Sequence, residues 1–375
     1  MRGLARGAFT SIVICVLFVT GARWLGTTLH GGMLLLATDR RGIYMADAQM
    51  GIVLPLNAAA TPSHFEMSPR GTQLIYNDDV NVFMLDIPSG RQQRLSNVNS
   101  NDYRPAWSPD GQRIAFVSVS NRQNRIFVTD TSGSTPQQLS QVGFSDSAPA
   151  WSPDGRYIAF LSARRTLPQV HIMDSDGTDV RNLSPRHYVE NFAWSPSGAY
   201  IAFVARTDAD TEIYSVRVAD GLEANLSRSA SHDYLFTWSP DSRELVFAST
   251  RDGGRAQLYA VNADGSNLHS LSNGSSYDLL PLWSPDGATL AFFCGGRLSD
   301  LDLCLMDSSG NRRSLSDSRF NNFAPSWSPD GRQMAFLSTR SGTLDLYVMD
   351  VGDVNSARRL TYDVPLVNAP PVWIP

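Results

Sequence analysis

A short motif of the form PAWSPDG recurs along the chain, and this repetition constrains the fold more than any other feature of the sequence. Six copies carry tryptophan at the third position, and a weaker copy has Met67 there. The copies lie at residues 65–71, 105–111, 149–155, 192–198, 236–242, 281–287 and 325–331. Their third positions are 40 to 45 residues apart, and Trp373 follows Trp327 by a further 46 residues. Self-similarity at this period is typical of folds in which each repeat is one small sheet.

Each repeat contains four segments of strand length. The motif ends a first strand, and its Pro and Gly suit the dihedral angles of a tight turn. An apolar second strand begins seven residues after each tryptophan, a third follows as at residues 126–130, and the fourth ends in Leu-Ser or Leu-Thr. The strands are apolar at most positions, which indicates that both faces of each sheet are covered. Four antiparallel strands in each repeat predict an all-β protein of the β-propeller class.

The two ends of the repeat region complete the count of blades. Residues 33–57 match the last three strands of a repeat, and residues 367–375 match a first strand. We therefore predict an eight-bladed β-propeller over residues 33–375, with four-stranded antiparallel blades and a C-terminal strand that closes the composite blade. A seven-bladed propeller with one displaced repeat is the alternative. The continuous blades are predicted at residues 62–97, 101–140, 145–184, 188–227, 232–272, 277–316 and 321–361.

An apolar segment precedes the repeats. Arg2 and Arg6 are followed by an uncharged run at residues 7–22, which ends at Arg23. A charged start and an apolar run are typical of an export signal, so residues 1–25 are predicted to form a hydrophobic helix that is either a cleaved signal peptide or a single membrane anchor. A buried core helix is the remaining alternative. Both favoured interpretations place the repeats outside the cytoplasm, in the periplasm or at the cell surface, secreted or tethered.

The composition excludes several kinds of chemistry. Every basic residue is arginine, which excludes phosphate-binding loops and covalent mechanisms that need a lysine amine. The net charge is −5, so the cationic excess that nucleic acid attracts is missing, and we expect no nucleic-acid partner. The sequence contains no G-x-S-x-G, C-x-x-C or H-E-x-x-H motif. We therefore expect no enzymatic activity, no cofactor and no structural zinc.

The repeated WSPDG marks, together with third strands such as LYVMD at residues 346–350, resemble those of the TolB-like β-propeller family. They are also similar to the propeller domains of prolyl-oligopeptidase-type enzymes. The resemblance covers residues 33–375 and implies a propeller fold. TolB proteins carry an α/β domain before the propeller and act in the cell envelope with a peptidoglycan-associated lipoprotein. We expect that domain to be absent, because the first strand follows the apolar segment within about ten residues.

The loops that enter the first strands carry acidic, amide and aromatic residues, which are expected to rim one face around a central channel. Such a rim suits a cationic or extended peptide, because the acids attract it and the rings anchor it. The alternative is that the Asp and Asn side chains hydrogen bond to their own loop backbone. The residues predicted to bind a partner are Asp102, Tyr103, Asp146, Glu190, Asp233, Tyr234, Asp278 and Asn322.

Two patterns resemble metal sites, and both have simpler explanations. Residues 174–179 resemble a calcium loop, but the bidentate Glu is missing and other repeats have an ordinary turn there. His187 and His232 precede the first strands of successive blades, whereas His171 lies in a third strand, so a shared set of ligands is not evident. We therefore predict no metal site.

Cys294 and Cys304 fall in the second and third strands of one repeat. This placement puts the two side chains roughly across a hairpin from each other. Outside the cytoplasm a disulfide between them is predicted, with two free buried thiols as the alternative.

These observations lead to one functional hypothesis and one alternative. The hypothesis is a non-enzymatic extracytoplasmic scaffold that binds a protein or peptide at its channel face, for example as an accessory subunit of a membrane or envelope complex. The alternative is a propeller enzyme or glycan-binding protein, similar to propeller lyases, that acts at the channel mouth. The membrane is a further partner where the N-terminal segment is retained. The fold by itself does not separate these functions.

Overall fold

The computed structural model describes residues 33–37, 42–49, 53–56, 64–78, 80–96, 101–120, 122–141, 143–164, 167–299, 301–315, 322–362, 364, 366–367 and 369–374. Within these ranges the chain forms β-strands and one short 3-10 helix, Val354–Ser356. The predicted N-terminal helix lies outside the described residues. Across the described ranges, no helix has the length and hydropathy needed to cross a bilayer.

The strands form eight four-stranded antiparallel sheets, numbered here as blades 1 to 8. Blade 1 contains β1 (Met33–Ala37), β2 (Ile43–Asp47), β3 (Val53–Leu56) and the C-terminal β32 (Val372–Trp373). Blade 2 contains β4 (His64–Met67), β5 (Gln73–Asn77), β6 (Val82–Asp86) and β7 (Gln92–Arg94). Blade 3 contains β8 (Asn101–Trp107), β9 (Arg113–Ser120), β10 (Gln123–Asp130) and β11 (Gln137–Gln138). Blade 4 contains β12 (Asp146–Trp151), β13 (Tyr157–Ser162), β14 (Gln169–Asp174) and β15 (Arg181–Asn182).

The second half of the chain continues the same order. Blade 5 contains β16 (Tyr188–Trp194), β17 (Tyr200–Arg206), β18 (Thr211–Arg217) and β19 (Glu223–Asn225). Blade 6 contains β20 (Asp233–Trp238), β21 (Glu244–Ser249), β22 (Gln257–Asn262) and β23 (His269–Ser270). Blade 7 contains β24 (Tyr277–Trp283), β25 (Thr289–Gly295), β26 (Asp302–Asp307) and β27 (Arg312–Ser314). Blade 8 contains β28 (Asn322–Trp327), β29 (Gln333–Ser338), β30 (Asp345–Asp350) and β31 (Arg358–Arg359).

The sheets confirm the predicted eight-bladed β-propeller with four-stranded antiparallel blades, and the seven-bladed alternative is wrong. Blade 1 is composite, because β32 pairs with β1 and places Leu34 opposite Trp373. The backbone N–H of Ile374 also donates to the carbonyl of Met33 at 2.8 Å. The two ends of the described chain therefore share one sheet.

The chain divides into two compact units. One unit comprises blades 2 to 5, residues Leu56–Asn225. The other comprises blades 1, 6, 7 and 8, which lie in the described residues up to Pro55 and in Leu226–Ile374. The blade 1 sheet therefore belongs to the same unit as blades 6 to 8.

The tight turn after each first strand explains why the motif contains Ser, Asp and Gly. In blade 3, Ser108 Oγ donates to Asp110 Oδ1 at 2.5 Å and accepts from the backbone N–H of Arg113 at 2.9 Å. Gly111 has a φ of 68°, a left-handed angle that glycine adopts without strain. The N–H of Gly111 donates to the carbonyl of Ser108 at 2.9 Å, which closes the turn.

Five first-strand tryptophans connect their blade to the one before it. These residues are at most 8% exposed, and the indole N–H of each donates to a backbone carbonyl of the preceding blade at 3.1 to 3.2 Å. The pairs are Trp107 with Glu66, Trp151 with Ala106, Trp194 with Ala150, Trp327 with Leu282, and Trp373 with Ser326. A buried indole therefore has both its apolar surface and its polar N–H satisfied at the blade junction.

Candidate functional site

The eight residues predicted to bind a partner lie on first strands, but they do not form one exposed acidic surface. The four aspartates and Asn322 are at most 3% exposed. Tyr103 and Tyr234 are partly exposed, and Glu190 is exposed. Direct contact between the buried carboxylates and a partner stays a prediction, and the exposed members of the set are better placed to make one.

The buried aspartates link successive blades through serine and arginine side chains. Asp278 accepts hydrogen bonds from Ser272 Oγ at 2.6 Å, from Ser276 Oγ at 2.9 Å and from Arg312 Nη2 at 2.6 Å. Ser272 follows the last strand of blade 6, whereas Asp278 and Arg312 belong to blade 7. The carboxylate is therefore paired and hydrogen-bonded where it is buried. Its partners are side chains, not the loop backbone of the alternative interpretation.

Asp233 in blade 6 has a similar environment. Arg251 Nη2 lies 3.2 Å from Asp233 Oδ1 and donates to the carbonyl of Ser227 at 2.7 Å. The guanidinium carbon of Arg251 lies 4.3 Å from the centre of the Tyr259 ring, a cation–π contact. Burial raises the pKa of Asp233, and the Ser249 hydroxyl and the Arg251 guanidinium oppose that rise. These contacts hold Arg251 between a buried acid and an aromatic face.

Variants of this arrangement occur in blades 4 and 8. Burial raises the pKa of Asp146, and nearby hydroxyls and the Arg164 guanidinium oppose the rise. In blade 8 an amide replaces the acid, because Arg340 Nη2 donates to Asn322 Oδ1 at 3.3 Å. The guanidinium carbon of Arg340 lies 4.7 Å from the centre of the Tyr347 ring. The buried Asp and Asn residues therefore support the blades from within.

Blade 7 replaces part of this pattern with a disulfide. Cys294 lies opposite Asp278, at the position that a serine has in blades 3, 4, 6 and 8. Cys304 lies opposite Phe292, at the position that an aromatic residue has in blades 3, 5, 6 and 8. The structure joins Cys294 and Cys304 in a disulfide with Cα atoms 5.9 Å apart, the pairing that the sequence predicted.

The first strands contain a strained bulge that the sequence did not predict. In five blades the register shifts, and the residue three places before tryptophan has a positive φ. These residues are Arg104, Ala148, Leu235, Leu280 and Ala324, with φ between 48° and 54°. This conformation costs a non-glycine residue about 1 to 2 kcal/mol, and bulges that re-aim side chains are common beside functional sites. Four of the five precede proline, a context that normally favours extended backbone, so the sequence carries no signal for the bulge.

Tyr234 and Tyr277 form a partly exposed aromatic surface at the start of blades 6 and 7. Both rings pack on the hydrophobic core of these blades. Burial raises the pKa of Tyr234 to about 12, with further contributions from Asp233 and Tyr277, so its hydroxyl remains a hydrogen-bond donor at neutral pH. The guanidinium carbon of exposed Arg255 lies 5.8 Å from the centre of the Tyr277 ring. We call Tyr234, Tyr277 and Arg255 the Tyr234 surface.

A second group of polar side chains lies on β4 and β8 in the other unit. Glu66 Oε2 accepts a hydrogen bond from the backbone N–H of Trp107 at 3.4 Å. Burial raises the pKa of Glu66 to about 8, and the Trp107 N–H opposes the rise. Burial, with a smaller contribution from Arg104, lowers the pKa of His64 to about 4. The group therefore holds a carboxyl that can donate a proton at neutral pH beside a neutral imidazole.

Glu66 is not among the predicted site residues, although the repeat contains a signal for it. The residue before the motif tryptophan is small or apolar in the other copies, namely Ala, Ala, Ala, Thr, Leu and Ser. An acid at that place in the one copy with Met67 departs from the pattern. His64 has no such signal in the sequence, because its distance to Arg104 depends on the pairing of two blades.

Glu66→Gln is expected to stabilise the protein more at pH 8 than at pH 4.5. The folded-state pKa is raised, so the wild type loses stability as the pH rises from about 4.5, where the unfolded side chain ionises, to about 8. Gln keeps the acceptor for the Trp107 N–H without a charge. Urea midpoints at the two pH values measure the effect, with exposed Glu190→Gln as the control. The prediction is contradicted if the urea midpoints of Glu66→Gln and the wild type differ by the same amount at both pH values.

Within the described ranges, no three His, Cys, Asp or Glu side chains are grouped so as to hold a metal ion. His187, which the sequence analysis considered as a ligand, has other neighbours. Its Nε2 lies 3.1 Å from Glu223 Oε1, and its ring centre lies 4.2 Å from that of Tyr214. This histidine is therefore part of the packing of blade 5.

Solved structures with a similar fold include a peptidase, a dehydrogenase and a lyase. Porphyromonas gingivalis dipeptidyl peptidase 4 superimposes with a TM-score of 0.71 and 15% identity, over 95% of this chain and 61% of the peptidase. The chain thus spans less than two thirds of that protein. Dihydro-heme d1 dehydrogenase NirN superimposes with a TM-score of 0.66 and 15% identity, over 94% of this chain and 77% of NirN. An oligogalacturonate lyase solved in complex with manganese superimposes with a TM-score of 0.55 and 16% identity, over 72% of this chain and 83% of the lyase.

The expectation of no enzymatic activity rested on the missing catalytic motifs, and it is wrong. The proteins with a similar fold include a peptidase, a lyase and a dehydrogenase. Enzymes therefore use this fold, and the absence of G-x-S-x-G or H-E-x-x-H does not exclude enzymatic activity. At 15 to 16% identity these similarities establish the fold and no particular reaction.

A family comparison agrees with the motif that runs through the repeats. The model described as the TolB beta propeller domain matches residues 56–192 and 186–303. These matches include blades 2 to 6 and the first two strands of blade 7. They cover well over half of the chain and confirm the resemblance seen in the WSPDG marks. The chain belongs to the TolB β-propeller domain family.

Proposed function

We propose that this chain is an extracytoplasmic propeller that binds a protein or peptide partner through the Tyr234 surface. The observation that carries the proposal is the pair of partly exposed tyrosines, Tyr234 and Tyr277, held on a well-packed core. Family membership supports a role in protein interaction in general. Tyr and Arg are enriched among the residues that dominate binding energy at protein interfaces.

The contacts around the Tyr234 surface favour an extended peptide segment as the ligand. The rings of Tyr234 and Tyr277 are already packed on one side, so they lose little side-chain entropy on binding. Their hydroxyls and the Arg255 guanidinium can donate to peptide carbonyls, while the ring faces bury apolar side chains. Asp233, which precedes Tyr234 in β20, pairs with Arg251, and this pair fixes the strand that carries Tyr234. In the other unit, partly exposed Tyr103 and exposed Glu190 are proposed contacts of the same kind.

The proposed location rests on the disulfide and on the family. Cys294 and Cys304 are bonded, and such bonds persist mainly in oxidising compartments outside the cytoplasm. Residues 1–25 lie outside the described residues, so a cleaved signal and a membrane anchor both stay predictions. The role of an accessory subunit in a membrane or envelope complex is likewise proposed, and it requires that a partner be found.

Selection of a displayed library of random 12-residue peptides on the purified protein tests the proposal. We expect enriched peptides with aromatic or apolar residues, and Tyr234→Ala is expected to weaken their binding at least tenfold, because such anchors often contribute 2 kcal/mol or more. Tyr362→Ala is the control, since Tyr362 is 64% exposed and lies after β31. Equal weakening by both variants, or none by Tyr234→Ala, would overturn the proposed surface.

A further inference from the structure

The turn after the first strand of blade 2 differs from the same turn in the other blades at one position. In blades 3, 4, 6, 7 and 8 an aspartate Oδ1 accepts from the serine Oγ two residues before it, at 2.5 to 2.7 Å. The same oxygen accepts from the backbone N–H two residues after it, at 3.0 to 3.1 Å. In blade 5 the hydroxyl of Ser197 has this place. In blade 2 the residue is Arg70, which brings no acceptor. The five aspartates are Asp110, Asp154, Asp241, Asp286 and Asp330.

The blade 2 turn keeps the backbone geometry of the others. The N–H of Gln73 donates to Ser68 Oγ at 3.0 Å, and the N–H of Gly71 donates to the carbonyl of Ser68 at 2.9 Å, as at the equivalent positions of blade 3. The Ser68 hydroxyl and the Thr72 N–H therefore correspond to the two donors that hold a carboxylate in the other turns. Neither of them donates to any residue that the structure describes. The turn thus has the donors of a carboxylate site without the carboxylate.

The place of the missing carboxylate lies at the protein surface. The five aspartates that fill it in other blades are all exposed, although each reaches the hydroxyl of its serine. The hydroxyl of Ser239 and the N–H of Arg243 lower the pKa of Asp241, so this pair of donors favours a charged carboxylate. In blade 2 a carboxylate can therefore approach the same two donors from solvent.

A cleft of about 350 Å³ opens at this turn, between blades 2 and 3 of one unit. Its volume is within the range of about 300 to 1,000 Å³ that is usual for small-molecule sites. The guanidinium of exposed Arg70 makes no hydrogen bond or ion pair with any residue in the described part of the chain. The cleft therefore offers a cation beside the two open donors. The polar side chains that line it are Ser68, Arg70, Thr72, Gln73, Gln112 and Thr131.

The nearest acids along the strands and turns do not compete for this cation. Asp86 is paired with Gln73 across the sheet, but its Oδ1 accepts from the N–H of Ser89 at 3.0 Å. Asp110 belongs to the adjacent turn, and its Oδ1 accepts from Ser108 Oγ. No carboxylate is among the lining residues that the structure describes. Arg70 thus remains available to an anion from outside the chain.

We propose that the cleft between blades 2 and 3 binds a carboxylate group of a ligand, at the place that an aspartate of the chain itself fills in five other blades. One oxygen accepts from Ser68 Oγ and from the Thr72 N–H, and the other oxygen pairs with the Arg70 guanidinium. A planar carboxylate matches the group that the turn holds elsewhere, whereas tetrahedral phosphate has no counterpart there. The site goes beyond the proposed function, because it recognises a charge and uses no residue of the Tyr234 surface.

A ligand-observed NMR titration of the folded protein tests this proposal, in a buffer without phosphate or carboxylic acids. The probes are N-acetyl-alanyl-alanine for a terminal carboxylate, N-acetylglutamate α-amide for a side-chain carboxylate, and succinate for a free acid. Inorganic phosphate and the neutral amides of the same compounds are the comparisons. We expect at least one carboxylate to bind with a Kd of about 10 mM or lower, and its amide not to bind.

The carboxylate probe with the lowest Kd identifies the source of the group. The proposal is overturned if no carboxylate binds at about 50 mM, if the amide of the best probe binds equally well, or if phosphate binds more tightly than all three carboxylates.

Two variants and a matched control assign the contacts. Arg70→Asp restores the motif of the other blades, so its own carboxylate fills the turn, and it is expected to weaken the best probe at least tenfold. Arg70→Gln removes the cation but leaves the turn open, and a loss of about fivefold is expected. Arg186→Asp makes the same change of charge at an exposed arginine that does not line the cleft. Equal affinity of Arg70→Asp and Arg186→Asp, with both proteins folded by circular dichroism, overturns the proposal.

Discussion

Deleting residues 367–375 is expected to lower the melting temperature by more than about 10 °C, the largest effect predicted for this chain. The deletion removes β32, which pairs with β1 and thereby completes blade 1. It also removes Trp373, which is 5% exposed and packs with Leu34 and Leu346. Its indole donates to the Ser326 carbonyl at 3.1 Å, so the link to blade 8 is lost as well. Removing a buried tryptophan side chain alone typically costs about 3 to 5 kcal/mol.

Thermal unfolding followed by circular dichroism measures this effect, and a point variant separates its causes. Trp373→Ala keeps the backbone pairing of β32 with β1 but removes the side chain. We expect its melting temperature to lie between those of the wild type and the truncated chain. A truncated chain with the same melting temperature as the wild type contradicts the role of β32 in blade 1.

Arg251→Ala is expected to destabilise the protein by about 3 to 5 kcal/mol, the second largest effect. The change leaves the carboxylate of Asp233 buried without its cationic partner and removes the contact with Tyr259. Asp233→Asn is expected to cost less, because blade 8 already uses Asn322 beside Arg340. The double variant Asp233→Asn with Arg251→Met is expected to be more stable than Arg251→Ala alone, since no unpaired charge remains.

The pH dependence of Arg251→Ala distinguishes an unpaired charge from lost packing. Burial already raises the pKa of Asp233, and loss of Arg251 removes a group that opposes the rise. A raised folded-state pKa lowers stability as the pH rises above the unfolded pKa of about 4, so the deficit of Arg251→Ala should shrink as the pH falls from 7 to 4. Urea unfolding at pH 4 and pH 7 tests this, with Arg217→Ala at an exposed ion pair as the control. A deficit that is the same at both pH values assigns the loss to packing instead.

The sequence predicted the blades because their signal is local and repeated. Trp373 could be assigned to a first strand, and residues 33–57 to the other three strands, from spacing alone. The same reasoning placed Asp233 and Asp278 in the loops that enter the first strands, whereas both residues lie on those strands and are buried. The partners of Asp278 come from the end of the preceding blade and from the fourth strand of its own blade. Arg312 lies 34 residues from Asp278 in the chain, and a contact over that separation leaves no mark in the motif.

The bulge at Leu280 and the indole of Trp283 could not be predicted from the sequence. The bulge at Leu280 has no glycine to indicate a left-handed angle, so only the backbone shows it. Trp283 stands in a motif copy, PLWSPDG, that is as complete as the others, yet its indole lacks the partner that Trp327 has. By contrast, the disulfide between Cys294 and Cys304 could be predicted, because both residues lie in adjacent strands of one repeat.

The central claim is that the Tyr234 surface contacts a peptide segment of a partner. A peptide selected on the protein, synthesised with a photo-activatable phenylalanine analogue at its aromatic position, tests this claim most directly. After irradiation, mass spectrometry identifies the residues of the protein that carry the cross-link. We predict cross-links to Tyr234, Tyr277 or the residues beside them. Cross-links that map to Tyr362, with none near Tyr234, would contradict this claim.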